Sequence, residues 1–274
     1  PFSSINLTNN TMPKQITITV EDFRQYRQKL GFSNQADVKN FFGAKDITPT
    51  VDFNYIDLLN KRLYGIIDTL NKVVVDEIKI DNLDSFKKQN IDRVFGILKK
   101  RNILPKLNNQ RRRPEQVYFS WIQGYIISNY FSKAIGIIFG VDISAISSIG
   151  DDDLKNIKTF KRTAKADLEI ILNKKEKVII EMQSGFTGIN DIKQHKVIEA
   201  KKVFNDSGKH TIAIHFDLYN GQVAFIKLNK IEDDSINWIT RQQMEGQTVF
   251  NIDQNYFIWK ITEKPMKYKE MNFD

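Results

Sequence analysis

Three polar residues in two neighbouring apolar segments are the strongest candidates for chemistry in this sequence. Asp167 begins the first segment, and Glu181 and Gln183 lie in the second, which reads VIIEMQ from residue 178 to 183. Alternate side chains of a strand share a face, so Glu181 and Gln183 point one way while Met182 points into the core. A carboxylate on so apolar a strand is unfavourable unless a cation neutralises it.

The turn predicted over residues 173–177 would bring Asp167 beside Glu181. Two carboxylates and an amide oxygen are hard ligands that suit Mg²⁺, which also retains water for chemistry. Such an ion can polarise a phosphodiester and lower the pKa of an attacking water. The alternative interpretation is structural, with Glu181 paired to a lysine at a strand end and Asp167 and Gln183 facing solvent. The spacing alone does not separate these two interpretations.

The positive charge of the chain is concentrated in one segment. The formal net charge is +8, and residues 86–116 hold ten Lys or Arg against two acids, an excess equal to the whole net charge. Clustered cations favour binding to nucleic acid, because each phosphate contact releases counterions. The triplet Arg111-Arg112-Arg113 is the densest part, and guanidinium groups contact phosphate at two points. The segment predicts a phosphate-contacting surface, and a solvated helix face is the alternative.

Apolar periodicity predicts the elements that must position these residues. Helices are predicted over 20–30, 33–42, 52–70, 83–101, 114–139, 191–204 and 235–244, and strands over 166–172, 178–183, 211–218, 222–228 and 257–261. This order predicts an α/β fold, with a mixed sheet flanked by helices and a helical N-terminal region. We expect the helical region to cover residues 1–83, as a DNA-reading or plain helical subdomain, and the sheet domain to cover 84–274.

Composition restricts the cellular setting. The chain has no cysteine, which fits a reducing compartment. No apolar run approaches the ~20 residues that span a bilayer, and the first residues lack the layout of a signal peptide. We therefore expect a cytoplasmic protein with no membrane contact and no organic cofactor.

The order of these residues resembles the signature of the PD-(D/E)xK nuclease superfamily, which includes many type II restriction endonucleases. That signature is an Asp, a variable gap, and Glu-x-Lys on the next strand; this chain has Asp167, a predicted hairpin, and Glu181-Met182-Gln183. Gln183 replaces the usual lysine, as in a minority of restriction enzymes that carry Glu-x-Gln. Ala166 replaces the usual proline. The resemblance covers about residues 113–228.

The resemblance implies a restriction-endonuclease-like core and a role for each site residue. Asp167, Glu181 and Met182 would hold Mg²⁺, and Gln183 would orient the water or complete the metal shell. Glu115, on the helix before the hairpin, would bind the metal directly or through water. A nearby lysine, Lys165, Lys193 or Lys196, would replace the missing one. The implied DNA contacts are Arg111, Arg112, Arg113, Lys165, Lys193, His195 and Lys196.

The function implied by the resemblance is Mg²⁺-dependent, sequence-specific hydrolysis of double-stranded DNA, as in a type II restriction enzyme. A homodimer would follow, because two-fold symmetry matches a palindromic site. Two alternatives stay open. One is a transposase-associated or less specific DNA nuclease of the same superfamily, in which Glu-x-Gln also occurs. The other is a DNA-binding protein that has lost activity, with Gln183 as the trace of that loss.

Overall fold

The computed structural model describes residues 17–107, 112–149, 166–172, 176–242 and 246–271. The chain divides into two units, with the boundary between Thr48 and Pro49. The helix predicted over 52–70, which we grouped with residues 1–83, therefore lies in the same unit as the sheet. Among the helices of the described ranges, none is long and apolar enough to cross a membrane.

Two short helices make up the described part of the first unit, α1 (Val20–Lys29) and α2 (Gln35–Phe42). The Thr19 hydroxyl accepts a hydrogen bond from the Asp22 N–H, and the Asp22 carboxylate accepts one from the Thr19 N–H, which forms a capping box at α1. Asn34 caps α2 in the same position. No residue within either helix is buried.

The second unit holds the remaining elements. Its helices are α3 (Phe53–Val73), α4 (Leu83–Lys87), α5 (Arg93–Lys100), α6 (Pro114–Tyr130), α7 (Ser132–Phe139) and α8 (Gln194–Ser207), with a π-helical turn joining α4 to α5. Its strands are β1 (Ile146–Ser148), β2 (Leu168–Leu172), β3 (Glu176–Gly185), β4 (Asp191–Lys193), β5 (Thr211–Asp217), β6 (Gln222–Lys227), β7 (Trp238–Arg241), β8 (Gln247–Asn251) and β9 (Phe257–Lys260).

Six of these strands form a mixed sheet in the order β1-β2-β3-β5-β6-β9. β3 and β5 are parallel, and the other neighbouring pairs are antiparallel. Parallel strands need a crossover connection, and the chain makes it from β3 to β5 through β4 and α8. A smaller antiparallel sheet has the order β4-β8-β7. The predicted class, a mixed sheet flanked by helices, is confirmed.

The two faces of the large sheet have different coverings. Ile180 and Met182 lie in one core cluster with residues of α3, α6 and α7, where each buried apolar side chain contributes roughly 2 kcal/mol. Ala213 on β5 lies in a second cluster with Val197 and Ala200 of α8. Because side chains alternate along a strand, Glu181 and its neighbours of the same parity face the α8 layer.

Four predicted elements differ from the structure. The helix predicted over 114–139 is two helices, because the chain turns at Phe131. The stretch 140–150, where no helix or strand is predicted, contains β1, and residues 191–193 form β4 before α8 begins. The helix predicted over 235–244 is wrong: Trp238–Arg241 is strand β7, which pairs with β8. Its aromatic and β-branched residues favour a strand once a partner strand is present.

Candidate active site

The β2–β3 hairpin places Asp167 beside Glu181. Leu168 pairs with Ile180, and one step further the Asp167 N–H donates to the Ile180 carbonyl at 3.0 Å. The Asp167 Oδ2 accepts a hydrogen bond from the Met182 N–H at 2.7 Å. The carboxylate is thus held at the edge of β3, next to Glu181.

Met182 can offer a cation its backbone but not its side chain. The side chain is buried in the core cluster on the far face of the sheet. The N–H and C=O of one strand residue point to the same side. Since the Met182 N–H points to Asp167, the Met182 carbonyl lies on that side too.

Glu181 is a buried carboxylate with two polar partners. It is 5% exposed. The Lys196 Nζ lies 2.9 Å from its Oε1 and 3.0 Å from its Oε2, and Gln183 adds a side-chain hydrogen bond. Burial raises the pKa of Glu181 to about 7, and the charge of Asp167 adds to the rise, while Lys196 and Gln183 oppose it. Asp167, Glu181, Gln183 and Lys196 therefore form one group.

The small sheet fixes the helix that delivers Lys196. Arg241 on β7 donates to both oxygens of Asp191 on β4, at 2.8 and 3.1 Å, and Ile192 is fully buried. α8 begins two residues later, so its first turn is anchored against β3. Of the three lysines suggested as replacements for the motif lysine, the structure brings Lys196 to the carboxylates. Lys193 is exposed, and Lys165 lies outside the described residues.

The donor set at this point fits a hard divalent cation. Two adjacent carboxylates and a carbonyl are oxygen ligands, and Mg²⁺ is usually held by one or two carboxylates with water completing its shell. The Lys196 ammonium already occupies a cationic position against Glu181. Across the described ranges, no three His, Cys, Asp or Glu residues come together as a metal-holding group. A cation here would therefore rely on the pair of acids, the carbonyl and water.

A cavity of about 260 Å³ lies beside the group and is lined by Glu181 and Lys196. Glu199, one helical turn after Lys196, lines it too, as does Thr211 at the start of β5. The buried carboxylate of Glu181 is thus next to open space rather than enclosed by side chains alone.

Glu115 makes the contacts of a structural ion pair. It is fully buried, its Oε1 accepts from the Asp52 N–H at 2.6 Å, and its Oε2 lies 3.2 Å from the Arg113 Nε. These contacts fasten the start of α6 to the start of α3. The structure does not bring Glu115 into a metal-holding group with Asp167 and Glu181, so the metal role implied for Glu115 is not supported.

The arginine triplet is only partly described. Arg111 lies outside the described residues, and Arg112 is exposed. Arg113 has an exposed side chain, but its guanidinium is paired with Glu115. The exposed cations of the same segment are Lys88, Arg93, Lys99, Lys100, Arg101 and Lys106.

The end of β4 and the first turn of α8 carry three of the residues expected to contact DNA. Lys193 and His195 are exposed. Lys196 is instead directed inward to Glu181, with 19% of its side chain exposed. The expectation that Lys196 binds the DNA backbone is therefore revised, because its ammonium belongs to the carboxylate group.

His215 is a site residue that the sequence did not reveal. It is the register partner of Gln183 on the parallel strand β5, so the two side chains lie on the same face of the sheet. It is 3% exposed. The signal that could have found it is a single histidine within the apolar run from Ile212 to Phe216.

Comparison with known proteins identifies no family for the chain. No protein-family model matches it, and no curated protein matches it. One similar solved structure is that of Hjc, a Holliday junction resolvase from Archaeoglobus fulgidus, with 12% sequence identity over 43% of this chain and 88% of that chain, and a TM-score of 0.28. A similarity this low supports no conclusion about the present chain.

Proposed function

We propose that this chain is a divalent-metal-dependent endonuclease that hydrolyses phosphodiester bonds of double-stranded DNA. The observation that carries the proposal is the meeting of Asp167, Glu181, Gln183 and Lys196 at one part of β3, where its side chains face α8. These are the residue types of the PD-(D/E)xK signature, with the lysine supplied by α8 instead of β3.

Each residue of the group has a distinct part in the proposed reaction. Mg²⁺ held by Asp167, Glu181 and the Met182 carbonyl would polarise the phosphodiester and stabilise the leaving 3′ oxygen. Gln183 can hold the attacking water through its carboxamide oxygen, since an amide both donates and accepts. The Lys196 ammonium, fixed 2.9 Å from Glu181, can stabilise negative charge that develops on the phosphoryl oxygens.

Exposed cations in two parts of the chain support DNA as the substrate. Lys193 is exposed at the end of β4, just before the helix that delivers Lys196. His195 is exposed too, but partial burial and the neighbouring lysines lower its pKa, so it offers a hydrogen-bonding group and not a charge. The exposed lysines and arginines of residues 88–106 form a separate positive segment along α5 and the turn after it, in the helical layer that covers the opposite face of the sheet. Each phosphate that such groups neutralise steepens the slope of log binding constant against log salt concentration by about 0.9.

The contact of Lys196 with Glu181 helps to decide whether Gln183 marks a loss of nuclease activity. If the core had lost its catalytic cation, Glu181 would lie buried without a positive partner. Instead a lysine from a neighbouring element contacts both of its oxygens. A retained cation favours an active enzyme over a DNA-binding protein on an inactive scaffold.

The finer form of the proposal is a sequence-specific enzyme of the type II restriction kind, acting as a homodimer on a palindromic site. The Glu-x-Gln motif agrees equally with a transposase-associated or less specific nuclease of the superfamily. The pattern of DNA products separates these two forms.

The test is incubation of the purified protein with several unmodified phage and genomic DNAs, in Mg²⁺ and in EDTA. We expect cleavage in Mg²⁺ and none in EDTA, with discrete fragments for a sequence-specific enzyme and a smear for a less specific one. Sedimentation with and without DNA reports the oligomeric state. Salt-sensitive DNA binding without cleavage of any DNA would overturn the nuclease proposal and leave a DNA-binding protein.

A further inference from the structure

A buried polar network lies beyond Gln183, at the ends of β3 and β5. His215, Asn190 and Asp217 are 3%, 7% and 0% exposed. The His215 Nε2 lies 2.8 Å from the Asn190 Oδ1, and the Asn190 Nδ2 donates to the Asp217 Oδ2 at 3.1 Å. Polar groups buried this deeply are unfavourable unless they are well partnered.

The partners of Asp217 fix the orientation of the whole network. Its carboxylate also accepts hydrogen bonds from the side chains of Asn220 and Gln222. A carboxylate only accepts, so Asn190 must turn its NH₂ to Asp217 and its oxygen to His215. The Nε2 of His215 therefore carries the proton, and its Nδ1 presents a lone pair. Burial lowers the pKa of His215 to about 4, which keeps the ring neutral at physiological pH.

The Nε2–Cε1 edge of the His215 ring faces β3. A Cβ placed on Gly185 would lie 2.9 Å from the His215 Nε2 and 3.5 Å from its Cε1, so this edge of the ring turns toward the strand. Nδ1 is bonded to Cε1, the ring carbon of that edge. It is buried, and the part of the chain that the structure describes gives it no hydrogen-bond partner. The side chain next to it in register is Gln183.

We propose that His215 is a positioning residue for Gln183, with its Nδ1 accepting a hydrogen bond from the Gln183 carboxamide once a cation takes the Glu181 carboxylate. The inference rests on the proposed nuclease function. In the present arrangement Gln183 hydrogen-bonds to Glu181. When Glu181 binds a cation, His215 is the acceptor that can receive the Gln183 N–H. With its nitrogen held, Gln183 presents its oxygen in a fixed direction to the attacking water.

Two amide variants, each of which reproduces one ring nitrogen of His215, separate this role from a structural one. In His215→Asn the amide oxygen can take the place of Nδ1, but the link to Asn190 is lost. In His215→Gln the amide can reach Asn190, but no acceptor remains at the Nδ1 position. Positioning of Gln183 predicts that His215→Gln lowers kcat on the order of tenfold with KM little changed, while His215→Asn retains most activity. A purely structural role predicts the reverse order, which would overturn the inference.

A spectroscopic measurement tests the contact without relying on activity or on the folding of a His215 variant. The ¹⁵N signal of the His215 Nδ1 is followed by NMR while metal-free protein is titrated with Mg²⁺, in the wild type and in Gln183→Leu. We expect the signal to move as Nδ1 becomes an acceptor in the wild type, and to stay in place in Gln183→Leu. Equal behaviour of the two proteins would refute the contact. Wild-type protein that binds Mg²⁺ but cuts no DNA would instead refute the proposed function, and the NMR result would still decide the contact. Protein that binds no Mg²⁺ would overturn both proposals.

Discussion

Glu181→Gln is expected to abolish Mg²⁺-dependent DNA cleavage while leaving the protein folded. The substitution removes one of two adjacent carboxylates from the proposed metal site, and the loss corresponds to several kcal/mol of transition-state stabilisation, or at least about 10³-fold in rate. Asp167→Asn is expected to have a similar effect. The matched control is Glu176→Gln, because Glu176 lies on the same strand but is exposed. The measurement is the rate of nicking and linearisation of supercoiled plasmid.

The same variant should lose the pH dependence that Glu181 gives to the stability of the metal-free wild type. The pKa of Glu181 is raised to about 7 from its ordinary value of 4.5. Between these two pH values the folded protein holds a proton that the unfolded chain has released, so the wild-type free energy of unfolding falls as pH rises. The fall amounts to about 3 kcal/mol at most, and Gln does not titrate. Denaturation in EDTA at pH 5 and pH 8 checks this, and an identical pH dependence in both proteins would contradict it.

Lys196→Met is expected to lower the cleavage rate about 10²-fold, because the substitution removes the cation that stabilises charge on the phosphate. The matched control is Lys201→Met on the same helix, since Lys201 pairs with the exposed Asp233. Single-turnover cleavage rates at saturating Mg²⁺ are the measurement. Circular dichroism must accompany it, because Glu181 loses its partner and removal of one member of a buried pair destabilises a fold.

A lysine placed on β3 tests more strictly whether the reaction needs the ammonium group of Lys196. Gln183→Lys in the Lys196→Met background restores the usual Glu-x-Lys motif, and we expect it to recover about tenfold of the lost rate. Equal rates for Lys196→Met and Lys201→Met would show that Lys196 has no part in the reaction. A double variant that stays as inactive as Lys196→Met would show that the two positions are not equivalent.

The carboxylate pair could be predicted from local patterns, but its cation could not. The alternation along VIIEMQ and the short turn before it were enough to predict a hairpin with Asp167 beside Glu181. Which of the three candidate lysines contacts the carboxylates depends on where α8 begins. That start is held by the ion pair of Arg241 and Asp191, across a small sheet whose strand β8 the sequence did not predict. The pairing is non-local, so no local pattern encodes it.

Glu115 and His215 also show that local sequence patterns do not predict long-range contacts. Glu115 matched a position expected from the superfamily, but its carboxylate binds the N–H of Asp52, 63 residues earlier in the chain. His215 stands in an apolar strand without the spacing of a metal ligand, yet the register of β3 and β5 sets it beside Gln183. In both cases the deciding contact comes from tertiary pairing and not from the periodicity of the segment itself.

The most direct test of the central claim is Mn²⁺ binding to metal-free protein, followed by electron paramagnetic resonance of the free ion. Mn²⁺ replaces Mg²⁺ at sites built from carboxylates, carbonyls and water. We predict that the wild type and Glu176→Gln bind Mn²⁺ and that Asp167→Asn and Glu181→Gln lose this binding. Binding that is absent from the wild type, or that persists unchanged in both of the latter variants, would contradict a metal site at Asp167 and Glu181.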